Sequence, residues 1–180
     1  MSKPEAELVG AAAAWARLDR FLGQLTEADA RARSRLDGWT RAHIVAHLWG
    51  NAEGFVGLVN AAAVGRVGVH YPGGPEGRLR DIAGRAALPL DVILDAARVS
   101  QVGLADAWDL VASDGWDQPS RFLDGTRPVS DTALVRWRET VVHHVDLDVG
   151  FEPEDLPDDY RRRDATWLSE HRPDWPPPPP

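Results

Sequence analysis

Apolar residues recur at three- and four-residue intervals in four long stretches of this chain, which restricts it to architectures built from amphipathic helices. Leu8, Ala12, Trp15, Leu18 and Leu22 form one stripe between about Glu5 and Gly23. A second helix is expected to start at Thr40, after the Asp37-Gly38 turn signal, because the Thr hydroxyl can accept an orphan N–H. Ile44, Leu48, Phe55 and Val59 carry its stripe to about Ala63. A third follows Pro89, with Val92, Ile93, Ala96, Leu104, Trp108 and Val111 as buried positions, and Ser113-Asp114-Gly115 closes it. Ser130 or Asp131 caps a fourth, which runs through Leu134, Trp137, Val141 and Val145 to Gly150. A short fifth helix spans Asp158 to His171.

Glycines cluster between Gly65 and Arg85, around His70-Tyr71-Pro72-Gly73-Gly74, and predict a long loop there. No stretch alternates like a strand between hairpin turns, and nothing repeats at a fixed period. The expected class is all-α, a four-helix bundle with long loops and a short C-terminal helix. Its 180 residues suit one domain over residues 1–172, followed by a proline-rich tail at 173–180 that is expected to be extended or disordered. Trp15, Trp49, Trp108 and Trp137 fall on the apolar faces and are expected in the core.

A formal net charge of −8 gives a phosphate backbone or an anionic membrane no basic surface to bind, so neither is an expected partner. No apolar run approaches the ~20 residues of a membrane span, and the first residues lack a signal-peptide pattern, which makes the cytoplasm the expected compartment. The chain has no cysteine. Disulfides, Cys-ligated zinc, iron–sulfur clusters and a protein thiol nucleophile are therefore excluded, and any thiol chemistry needs a guest thiol.

Two histidine-containing pairs carry the candidate chemistry. His43 and His47 are four apart on the second helix, and Glu139 and His143 are four apart on the fourth, so each pair shares a helix face. Imidazole and carboxylate donors suit zinc, and three of them leave a position open for water or a substrate atom. Spacing leaves two alternatives standing. Arg136, Glu139, His143 and Asp146 also fit a solvated stripe of ion pairs, and it does not decide between His43 and His47 as donor. His144 points about 100° from His143 and reads as structural or exposed. His70 and Tyr71 are candidates for lining a pocket, while His171 sits in a polar segment.

The segments SRLDGWTRAHIVAHLWGNAEGFVGLV and RWRETVVHHVDLDVGF resemble the mycothiol-dependent maleylpyruvate isomerase family, within the larger DinB-like group of metal-binding four-helix bundles. The resemblance runs from about Leu8 to Tyr160. It implies a DinB-like fold and a divalent metal, zinc foremost, on His47, Glu139 and His143, with His43 a helix-start residue. It also implies mycothiol as an external thiol cofactor. The thiolate would add to an electron-poor cis alkene; rotation about the new single bond and elimination would give the trans product and return the thiol. Family isomerases carry a smaller C-terminal domain after the bundle, which contributes a catalytic Arg.

The expected function is thus cis–trans isomerisation of an activated alkene such as a maleylpyruvate-like acid, or thiol transfer to an electrophile. A non-catalytic metal-containing binding module and a metal-dependent hydrolase are the alternatives. Asn51, Arg85 and Asp146 are candidates for supporting the cofactors or an acidic small-molecule substrate, and the expected assembly is a monomer or homodimer.

Overall fold

The computed structural model describes residues 3–171. The proline-rich stretch expected at 173–180 lies outside them. Four long helices build the bundle: α1 (Glu5–Leu22), α3 (Arg41–Ala63), α5 (Leu90–Asp109) and α6 (Asp131–Asp146). Between and after them come the short α2 (Glu27–Arg31), then α4 (Gly74–Ala86) and α7 (Asp158–His171). The all-α class read from the periodicity is correct. None of these helices is long and apolar enough to cross a membrane.

Helix α3 is the centre of the molecule. It packs on α5, α4 and α6, while α1 packs chiefly on α6. Residues Ile44 to Leu48 are consecutively buried, so α3 is not the one-sided amphipathic helix its apolar stripe suggested. Its start is where expected, at Thr40, but the cap is a reciprocal one with His43. The Thr40 backbone N–H donates to His43 Nδ1 at 3.3 Å, and the hydroxyl lies 2.7 Å from the same nitrogen.

Core residues fall into two clusters. One gathers Phe55, Trp108, Trp116, Trp137 and Tyr160; the other gathers Leu18, Leu22, Ile44, Leu48, Ile93 and Leu147. Trp108 and Trp137 are buried as expected, but Trp15 and Trp49 are only half-buried. Each instead lies beneath a guanidinium, Trp15 under Arg136 at 5.3 Å and Trp49 under Arg85 at 4.1 Å. On α1 the buried positions are Ala11, Ala14, Leu18 and Leu22, and Ala12 is exposed.

Close approach of α1 to α6 depends on Gly10. A methyl group there would sit 2.4 Å from the Trp137 ring. Gly10→Ala is therefore expected to destabilise the protein by about 1–3 kcal/mol, because the overpacking outweighs the helix propensity alanine adds. A thermal midpoint several degrees lower, with an unchanged helical circular-dichroism spectrum, is the expected reading.

Three sequence expectations are corrected. The region 65–85 is not one long loop, because α4 occupies its second half, begun at Gly73-Gly74-Pro75 and held on α3 by buried Ile82 and Ala86. The glycines signalled freedom, but the proline lies in the first helical turn, where its fixed φ favours the helix. A two-stranded antiparallel hairpin, β1 (Pro119–Phe122) and β2 (Gly125–Pro128), was missed. Its Asp124-Gly125 turn, with Gly125 at φ 145, is the signal that would have found it. Helices α5 and α6 each end about four residues before the expected boundaries. Gly150 (φ 88) belongs to the turn beyond α6, after Asp148 (φ 56). On α5, Val92 is exposed and Leu90, Leu94 and Ala97 are buried in its place.

Candidate metal centre

The buried face of α3 and the facing side of α6 bring His47, Glu139 and His143 together. Nε2 of His47 lies 2.7 Å from Glu139 Oε2, and Nε2 of His143 lies 3.3 Å from the same oxygen. The two imidazoles meet edge to face with centroids 4.7 Å apart. One donor atom from each residue falls within 4.8 Å of the others, close enough for one cation. His43 is not part of this cluster, since its ring is spent on the Thr40 cap and on contact with Trp39.

The charged positions on α6 do not form a solvated stripe. Arg136 is fully buried, and Glu139 and His143 face inward at 24% and 16% side-chain exposure. Asp146 Oδ2 lies 2.8 Å from His143 Nδ1, which leaves Nε2 turned toward Glu139. A carboxylate on the outer nitrogen of an imidazole fixes the ring and strengthens its other nitrogen as a donor.

Burial and charge set the protonation of the cluster. Burial pushes His47 down to about 4, so this imidazole is neutral at pH 7. Burial works the same way on His143, but its contacts with Asp146 and Glu139 outweigh it and raise the group to about 9. The Glu139 carboxyl is pushed up by burial and pulled down harder by the two histidines, so it lies well below its ordinary range. The donors therefore hold a neutral imidazole, a carboxylate and an imidazolium.

A cation taking His143 Nε2 must displace one proton at any pH below about 9. His47, already neutral, releases none. Apparent affinity for zinc is therefore expected to rise about tenfold per pH unit between pH 6.5 and 8.5. Chelator competition at three pH values reads this slope directly, and a flat profile would contradict the assigned protonation.

Beside His47 and Glu139 lies a cavity of about 230 Å³, lined among others by Asn51, His70, Tyr71, Arg78, Phe122 and Arg138. Asn51, one turn after His47, is 1% exposed and accepts from Arg136 Nη1 at 2.8 Å. That contact identifies Oδ1 and turns the amide N–H group away from Arg136. His70 stacks on Phe55 at 4.4 Å and reaches close to α3, because Gly54 offers no Cβ; one there would lie 2.3 Å from the ring. Arg85 lines an adjoining cavity of about 210 Å³, but is paired with Glu53 at 2.7 Å and stacked on Trp49. His144 is buried against Phe151 (4.1 Å) and Phe21 (4.6 Å), away from the donors.

Sequence reasoning missed Arg78, whose Nη2 lies 3.1 Å from His47 Nδ1, and the hairpin residues Phe122 and Arg127 on the cavity wall. Arg78 lies on α4, where a loop was expected, so no helical spacing pointed to it. The Asp124-Gly125 turn signal was available for the hairpin.

Fold and site together define a helical bundle that presents two imidazoles and a carboxylate to one point in its interior. The model of the mycothiol maleylpyruvate isomerase N-terminal domain matches residues 11–148, and the chain belongs to that family. A crystal structure of the mycothiol-dependent maleylpyruvate isomerase is similar at 30% identity and a TM-score of 0.86, over 93% of this chain and 72% of that one. A histidine-to-alanine mutant of that enzyme is similar at 29% identity, with the same TM-score and coverage. No curated protein matches the chain significantly.

Proposed function

We propose that His47, Glu139 and His143 hold one divalent cation, zinc being the ion that two imidazoles and a carboxylate suit best, and that the chain works with the thiol of mycothiol. Its substrate is a small acid bearing an electron-poor cis double bond, and its reaction is isomerisation to the trans form. The carrying observation is the convergence of three donors inside a chain that has no cysteine of its own. A cation at such a site supplies the chemistry a guest thiol needs, a lowered pKa and a fixed thiolate.

The chain's own residues complete the setting. Asp146 fixes the His143 ring, and buried Arg136 fixes Asn51 on the cavity wall. Phe122, Val135 and Trp167 give the cavity apolar surface that limits water around the reacting atoms. Membership of an isomerase family supports the reaction class.

The test is turnover of a conjugated cis-alkene acid by metal-replete protein with and without mycothiol, counting the thiol as well as the product. Isomerisation returns the thiol, so product should exceed consumed thiol many times over. Consumption of one thiol per turnover would assign thiol transfer instead. Unchanged activity without thiol would favour hydrolysis or another metal chemistry. No turnover beside intact metal binding would make the chain a binding module.

A further inference from the structure

Four arginines line the two cavities beside the donors, and three are already held by carboxylates. Arg127 lies 2.7 Å from Asp124 and 3.6 Å from Asp131, Arg138 lies 2.9 Å from Asp164, and Arg85 lies 2.7 Å from Glu53. Among the described residues Arg78 alone of the four has no carboxylate at ion-pair distance. Its guanidinium instead lies against the His47 ring, 3.1 Å from Nδ1 and 3.4 Å from Nε2, and 5.6 Å over the Tyr71 ring.

The same wall carries two further polar atoms without partners. His70 is 8% exposed and its Nε2 is buried and unpaired; the Tyr71 hydroxyl is likewise buried and meets no partner at hydrogen-bonding geometry. His47, His70, Tyr71 and Arg78 line both cavities, so they form the partition between them. A cationic fork beside two buried polar groups, with Asn51 the nearest other polar neighbour of both, makes a wall on which an anion can meet Arg78 and the Tyr71 hydroxyl together. A buried polar group without a partner is unfavourable until something fills the role.

The geometry points to Arg78 as the anchor for the anionic group of the substrate, a carboxylate on a small conjugated acid. This rests on the function proposed above and adds the residue that selects the acid. A guanidinium presents two parallel donors that match a carboxylate, and the cavity of about 230 Å³ has room for a compact acid. The contact with His47 is compatible with such a role. A guanidinium only donates, so it can bond Nδ1 only while that nitrogen is unprotonated. When Nε2, the atom facing Glu139, is given to a cation, the ring proton resides on Nδ1. Two donors then face each other, and Arg78 is free to take an anion.

The experiment is calorimetric titration of zinc-loaded protein with maleate, a compact cis-alkene dicarboxylate, in the absence of thiol. Arg78→Met should weaken maleate about 10- to 100-fold, the range for losing charged hydrogen bonds, while zinc content by elemental analysis stays at the wild-type value. Arg78→Lys, which keeps charge without the fork, should fall between the two and serves if the Met variant does not fold. Arg138→Met removes a charge from the same cavity, but one already neutralised by Asp164, and should change affinity less than about threefold. Equal affinity in wild type and Arg78→Met, or equal losses in Arg78→Met and Arg138→Met, would overturn the anchor. Because binding is read without thiol or turnover, a chain that fails to isomerise can still show the anchor. Thiol-dependent turnover with unchanged maleate binding in Arg78→Met would remove the anchor and leave the proposed function standing.

Discussion

His47→Ala is expected to abolish stoichiometric zinc binding, weakening it by more than about 100-fold, while the helical circular-dichroism spectrum is retained. Losing even a residue that merely supports a ligand typically lowers metal affinity 10- to 100-fold, and losing one of three donors removes more. The fold should survive because α3 is held by its apolar neighbours on both sides of position 47, with Ile44, Leu48 and Phe55 all fully buried. Glu139 would keep its contact with His143 at 3.3 Å, so no carboxylate is stranded in the interior. Elemental analysis after dialysis checks the result, and full metal content in the variant would remove His47 from the ligand set.

The largest stability effect is expected at Arg136. Its side chain is fully buried, with Nη1 donating to Leu48 O (2.9 Å) and Asn51 Oδ1 (2.8 Å) and Nε donating to Gln101 Oε1 (3.0 Å). One side chain thus ties α6 to both α3 and α5. Burial lowers the guanidinium to about 10, which still leaves it charged at pH 7. Arg136→Met would relieve a buried charge but leave the Asn51 and Gln101 oxygens buried without donors, at about 1–3 kcal/mol each. A net loss of about 2–4 kcal/mol follows, with a midpoint fall of roughly 4–16 °C for a chain of this size. Thermal unfolding checks this, and an unchanged midpoint would show that the acceptors find other donors.

Helices α1, α5 and α6 were legible because their burial follows the helical period, α3 because its apolar stripe shows within a helix buried on more than one side, and α7 from its start at Asp158 through the described residues. Boundaries failed where local chemistry overrode the pattern. Polar and glycine-containing turns follow α5 and α6, but the helices stop at Asp109 and Asp146, before those signals. Region 65–85 failed because glycine count was weighed above the proline at the start of α4 and the apolar Ile82 and Ala86 that dock it. A strand pair of four residues each is too short for alternation to show, and only its turn carried information.

The candidate site was legible to a different depth. Spacing alone placed Glu139 and His143 on one face but left a solvated stripe open. The burial of Arg136 and the approach of His47 to Glu139 are tertiary facts that no single-helix pattern contains. Family resemblance chose His47 over His43, and the structure gives a physical reason for His43 to be elsewhere, since its ring closes the α3 cap. Asp146 contacts His143 and Asn51 lies one turn after His47, whereas Arg85 is paired with Glu53 and Arg78 stands nearer to His47. One arginine among many, on a helix mistaken for a loop, leaves no mark in the sequence.

X-ray absorption at the zinc edge, on metal-loaded protein before and after mycothiol is added, tests the centre most directly. Before addition the first shell should contain only nitrogen and oxygen at about 2.0–2.2 Å, from two imidazoles, one carboxylate and solvent. After addition one sulfur at about 2.3 Å should appear. With no cysteine in the chain and Met1 its only methionine, that sulfur has no protein side chain in the cluster to come from. A nitrogen and oxygen shell unchanged by the thiol, or a shell without imidazole, would contradict the account.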